Sequence, residues 1–173
     1  LRELVARYRN TAMVYGEWGF RAVPSAGLIA LFSGDPGTGK TMSAEILAGE
    51  LGLDMFVVNL SAVVSKYIGE TEKNLEEVFD AATAGNQVLF FDEADSLFGK
   101  RTEVSDARDR YANLEVSYLL QRLEIFDGLV VLATNVSANI DAAFLRRIDV
   151  SIDFVQPSEP ERQRLWAQAF PPN

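Results

Sequence analysis

Residues 28–41 read LIALFSGDPGTGKT. The apolar run from Leu28 to Ser33 predicts a strand, and the periodic segment from Lys40 to Leu51 predicts a helix. Between them, Gly34-Asp35-Pro36-Gly37-Thr38-Gly39-Lys40-Thr41 matches G-x-x-x-x-G-K-[ST]. A glycine-rich turn in this context aims backbone N–H groups and the positive end of a helix at one point, which favours an anion there. Asp35, Pro36, Gly37, Thr38, Gly39, Lys40, Thr41 and Met42 are therefore the candidate nucleotide-phosphate contacts. Lys40 is placed to reach the β- and γ-phosphates of ATP or the β-phosphate of ADP, and the Thr41 hydroxyl is a candidate Mg²⁺ ligand. A plain strand-to-helix corner needs neither the lysine nor the threonine.

Further apolar runs lie at Met55 to Leu60, Gln87 to Asp92, Leu129 to Thr134 and Val150 to Phe154. They show little alternation, as expected of strands buried on both faces. Helical stripes separate them: Leu75, Val78, Phe79 and Ala82, then Val116, Leu119, Leu120 and Leu123. Ser158-Glu159-Pro160-Glu161 reads as a capping box, opening a helix that Pro171 and Pro172 stop. Strands alternating with helices predict an α/β fold with a mostly parallel sheet. Segment 99–110 is strongly polar and reads as an exposed loop.

Asp92 and Glu93 directly follow the strand residues VLFF. With the phosphate turn upstream, Asp92 is a candidate Mg²⁺ ligand and Glu93 a candidate for polarising the attacking water. The chain contains no cysteine and no histidine. This excludes a disulfide framework, a thiolate nucleophile, the usual zinc sites and an imidazole base. Acid–base work must use carboxylates, and a metal must be held by oxygen.

The 173 residues suffice for one domain, and at 48% hydrophobic content the chain is expected to fold. A net charge of −9 argues against a nucleic-acid partner, and Lys100-Arg101 and Arg146-Arg147 are too small for a footprint. No run approaches the roughly 20 apolar residues of a membrane span, and nothing resembles a signal peptide. A cytoplasmic location follows as the expectation. The first residue is Leu, so the chain is expected to be part of a longer protein.

These ordered motifs resemble the AAA ATPases, from about residue 27 to residue 166. The resemblance implies a P-loop NTPase fold: a three-layer αβα sandwich around a five-stranded parallel sheet. It implies a large α/β subdomain at 27–173, preceded at 1–26 by a linker helix and an adenine-side segment. There Trp18 or Phe20 packs on the base or anchors to the core. The helical lid that normally follows is expected to be missing. Asn135, in Ala133-Thr134-Asn135, looks like the residue that senses the γ-phosphate or the water. Phe144-Leu145-Arg146-Arg147 matches the arginine-finger region, where an arginine reaches a neighbouring subunit's nucleotide. Its two adjacent arginines resemble the katanin and spastin type, with Arg147 slightly favoured as the finger. Lys66-Tyr67-Ile68-Gly69 looks like a pore loop whose tyrosine grips a polypeptide. The segment carrying Lys100, Arg101, Arg108 and Arg110 falls where a second pore loop would lie, with a solvated loop as the equal alternative.

The implied activity is Mg²⁺-dependent ATP hydrolysis in a homo-oligomeric, hexameric ring. It would be coupled to remodelling, unfolding or disassembly of a protein substrate. The rival reading is an ATP-gated assembly factor or scaffold that threads no polypeptide. A DNA-acting motor is disfavoured by the charge and by the lack of an aromatic-basic patch.

Overall fold

The computed structural model describes residues 1–22, 25–60, 70–94, 117–135 and 142–170. The loop Lys66 to Gly69, segment 99–110, Val116 and the residues from Pro171 to Asn173 lie outside the described residues. In chain order the elements are α1 (Arg2–Thr11), continued by a π-helical turn (Ala12–Glu17), β1 (Leu28–Gly34), α2 (Lys40–Leu51) and β2 (Met55–Asn59). There follow α3 (Glu70–Gly85), β3 (Val88–Asp92), a helix α4 described over 117–125, and β4 (Leu129–Thr134). A short α5 (Ala142–Leu145), β5 (Val150–Phe154) and α6 (Glu159–Ala169) complete the order.

The five strands form one sheet in the order β2-β3-β4-β1-β5, and every pairing is parallel. All five strands thus end on the same edge. Alternation of side chains along each strand sorts the core into two layers. Ile29, Leu31, Leu89, Phe91, Val130 and Leu132 point to one face and pack with Leu75 and Phe79 of α3, with Leu119 and Leu123 of α4, and with Phe144. Ala30, Phe32, Val88, Phe90, Leu129 and Val131 point to the other and pack with Leu4 and Val5 of α1 and Ala44 and Leu47 of α2. The result is the three-layer αβα sandwich of a P-loop NTPase. Helix α1 is part of its core, since Leu4 is fully buried.

Central strands β3 and β4 read as continuous apolar runs because helices cover both their faces. The edge strand β5 instead alternates half-buried and exposed residues, because it lacks that double cover. Helix α6 has no buried residue. Its start is the capping box foreseen from the sequence: the Ser158 N–H and hydroxyl both donate to Glu161 Oε2, at 2.7 and 2.6 Å. These bonds hold the Glu161 carboxyl below its ordinary value. Trp18 and Phe20 are 62% and 63% exposed and meet edge to face, so neither ring is anchored in the core. No helix among the described residues is long and apolar enough to cross a membrane.

The end of β1 requires glycine. Gly34 has φ +146°, and a Cβ there would lie 2.1 Å from the Phe154 carbonyl oxygen of the neighbouring strand. Backbone cannot yield as a side-chain tip can. Gly34→Ala is therefore expected to destabilise the fold by about 2 kcal/mol or more, read as a fall in the urea midpoint. An unchanged midpoint would show that β1 and β5 separate freely at this point.

Candidate functional site

The site is built at the carboxyl ends of three adjacent strands, β3, β4 and β1. Strand β1 delivers the chain into the turn 35–39, and α2 begins at Lys40. Gly37 and Gly39 have φ +77° and +96°, left-handed conformations that glycine adopts without a steric penalty. The Thr38 hydroxyl donates to the Asp35 carbonyl at 2.8 Å and closes the turn. Gly39 caps α2 with no side-chain hydrogen bond, which leaves its first-turn amides facing outward. Thr41 is exposed beside them, as is Met42 at 55%.

Lys40 is only 8% exposed, yet its ammonium is fully engaged. It donates to the Gly34 carbonyl at 2.7 Å, the Asp35 carbonyl at 3.0 Å and Asn135 Oδ1 at 2.8 Å. Two residues singled out 95 positions apart in the sequence thus meet directly. Asn135 stands immediately after β4, which pairs with β1.

Asp92 ends β3, two strands from β1, or about 10 Å across the sheet. Its Oδ1 accepts from the Glu93 N–H at 2.9 Å. Glu93 is exposed and has φ +54°. The one other described non-glycine residue at positive φ is Asn86, at a helix end, where asparagine is at ease. Glutamate is not, and such a conformation costs about 1–3 kcal/mol. The next residue helps to hold it: the Ala94 N–H donates to the Ala133 carbonyl at 2.9 Å, tying the end of β3 to the end of β4. A buried lysine, an asparagine and two carboxylates are thereby lined up over β1, β4 and β3. Among the described residues no cluster of three or more acidic groups could cage a metal ion.

The two arginines after α5 part company. Phe144 is 2% exposed and anchors the helix in the core. Arg147 turns back, its N–H bonded to the Phe144 carbonyl at 2.9 Å, and its guanidinium pairs with the Glu124 carboxylate of α4. Arg146 is exposed.

The family model described as ATPase family associated with various cellular activities matches residues 30–156. The chain belongs to the AAA family. It is 40% identical over 129 residues to an uncharacterized AAA family ATPase of Sinorhizobium fredii, covering 73% of this chain and 38% of the relative. It is 37% identical over 142 residues to a probable 26S proteasome regulatory subunit 10B of Caenorhabditis elegans, covering 78% and 35%. It is 30% identical over 173 residues to the 26S proteasome subunit RPT4 of Saccharomyces cerevisiae, covering 96% and 39%. The chain thus spans little more than a third of the length of these relatives.

Sequence reasoning missed two contacts in this AAA domain. Glu124 sits on the polar side of α4 and carries no motif. Gln156 donates to the Asp35 carboxylate at 3.3 Å and links the phosphate turn to the segment after β5. No local signal announces either contact: the first depends on how α4 packs beside the end of α5, the second on β1 and β5 lying side by side.

Proposed function

We propose that this AAA domain binds ATP with Mg²⁺ and hydrolyses it within an oligomeric ring that remodels protein substrates. The observation that carries the nucleotide site is the meeting of Lys40 with Asn135, at the start of an uncapped helix and beside Asp92 and Glu93. Lys40 and the amides of residues 35–42 hold the phosphates. Thr41 and Asp92 fit Mg²⁺, which takes few protein ligands and keeps phosphate oxygens and waters for the rest. When bound, the ion neutralises charge on the phosphates. Glu93 orients the water, and Asn135 bonds the γ-phosphate or that water. The remodelling reading is supported by the likeness to proteasome regulatory subunits and by the Tyr67-bearing loop in the sequence. A cytoplasmic location is part of the same reading.

The pairing of Arg147 with Glu124 supports a division of labour in which Arg146 is the finger, in place of the Arg147 slightly favoured from the sequence. Arg146 is the one that faces outward and reaches a neighbour's nucleotide; Arg147 braces α5 against α4. Arg147→Ala is expected to lower the stability of the isolated chain by about 1 kcal/mol or less, since the pair is partly exposed. Arg146→Ala should leave that stability unchanged. Chemical denaturation of the two variants decides the point, and equal losses would undo the division.

The test of the whole reading is the ATPase rate per protomer against protein concentration, with Mg²⁺. A steep rise to a plateau means sites completed by a neighbour, and Arg146→Ala should flatten it. A flat rate in the unmodified protein would count against the ring.

A further inference from the structure

The three acceptors on Lys40 carry an inference beyond its role as a phosphate ligand, and it rests on the phosphate-site reading above. An ammonium has three N–H donors and no acceptor. Here the Gly34 carbonyl, the Asp35 carbonyl and Asn135 Oδ1 use all three. A phosphate cannot simply be added to this lysine; one of the three partners must leave.

Two of the partners are main-chain carbonyls of the phosphate turn itself. The third is a side chain just past the end of another strand, at an exposed position, with two rotatable bonds. Asn135 is therefore the partner that yields. The chemistry of its amide adds a second constraint. Lys40 only donates, so Asn135 must present its carbonyl oxygen to it. Phosphate oxygens only accept, so Asn135 must present its NH₂ to them. The same side chain cannot serve both with one orientation.

We propose that Asn135 is an internal competitor for Lys40. It holds the lysine through its Oδ1, is displaced by the incoming β-phosphate, and turns its amide over to donate to the nucleotide. It acts on affinity through Lys40 and is in that respect a positioning residue. The exchange also makes the end of β4 report whether Lys40 holds phosphate, because the orientation of one amide differs between the two forms.

ADP is the discriminating probe, since it lacks the γ-phosphate that Asn135 would contact in ATP. The full chain and its Asn135→Ala and Asn135→Leu variants are titrated with ADP by calorimetry. Both variants remove the competing oxygen, and leucine keeps the volume. The expected result is a gain of about three- to tenfold in ADP affinity for both, the range of a typical net hydrogen bond. The same variants should hydrolyse ATP more slowly, a split that mere loosening of the site does not produce. Unchanged or weaker ADP binding in both variants, with folding intact by circular dichroism, would overturn the proposal. Failure of the phosphate-site reading looks different: the unmodified chain would not bind ADP, or Lys40→Ala would bind it as tightly as the unmodified chain.

Discussion

Lys40→Ala is expected to remove measurable nucleotide binding, with affinity for ATP and ADP falling about 100-fold or more. Two physical losses combine. The ammonium is the one cation inside the turn, and charge-assisted hydrogen bonds to phosphate oxygens are about twice as strong as neutral ones. The carbonyls of Gly34 and Asp35, now bonded to Lys40 at 2.7 and 3.0 Å, would also lose their donor. Gly34 is half-buried and Asp35 exposed, so water makes up part of that loss, but the turn loses the cross-link that holds its cradle shape. Arginine at this position is not expected to rescue binding, because its planar fork does not reproduce the three-way donor geometry of the buried ammonium. Calorimetric titration of the folded variant checks this. Micromolar ATP binding by Lys40→Ala would sink the assignment of the turn.

Much of this architecture was legible before any coordinates. The expected strands at Leu129 to Thr134 and Val150 to Phe154 match the observed ones end for end, and α2 matches from Lys40 to Leu51. The physical reason differs between them: β4 is buried on both faces and reads as a short unbroken apolar run, whereas edge strand β5 reads as an apolar–polar alternation, and polar turns bound both. The capping box at Ser158 was legible for a similar reason: its two partners lie three residues apart, and local chemistry needs no tertiary knowledge. Lateral relations were not legible in this way. Nothing in the runs themselves says that β4 lies between β1 and β3, and that order is what brings Asn135 to Lys40 and Ala94 to Ala133. The resemblance named Asn135 as a phosphate sensor but not as a ligand of Lys40. Residue types placed two arginines after α5; only the packing of α4 showed that Arg147 has a carboxylate partner and Arg146 faces out. Backbone strain was equally invisible: nothing in the residue type at Glu93 announces its positive φ, next to the bond that ties the ends of β3 and β4.

That strain shapes the second large prediction. Glu93→Gln is expected to leave ATP affinity within about threefold of the unmodified protein and to lower turnover by about 10²–10⁴. Glutamine has the same length and the same difficulty at φ +54°, so the substitution changes the chemistry and not the backbone cost. What it removes is the negative charge that draws a proton from water. Asp92 cannot take over: its Oδ1 is drawn back onto the Glu93 N–H at 2.9 Å and its side chain is only half exposed. Glu93, by contrast, is exposed and lies just past the end of β3. Asp92→Asn gives the contrast that makes the assignment specific. If Asp92 serves Mg²⁺, its loss should weaken the dependence on the metal, whereas Glu93→Gln should keep the metal dependence of ATP binding intact. Single-turnover phosphate release, measured with ATP bound beforehand, separates the two. Near-normal release by Glu93→Gln would take the glutamate out of the chemistry and reduce its left-handed backbone to a consequence of tying β3 to β4.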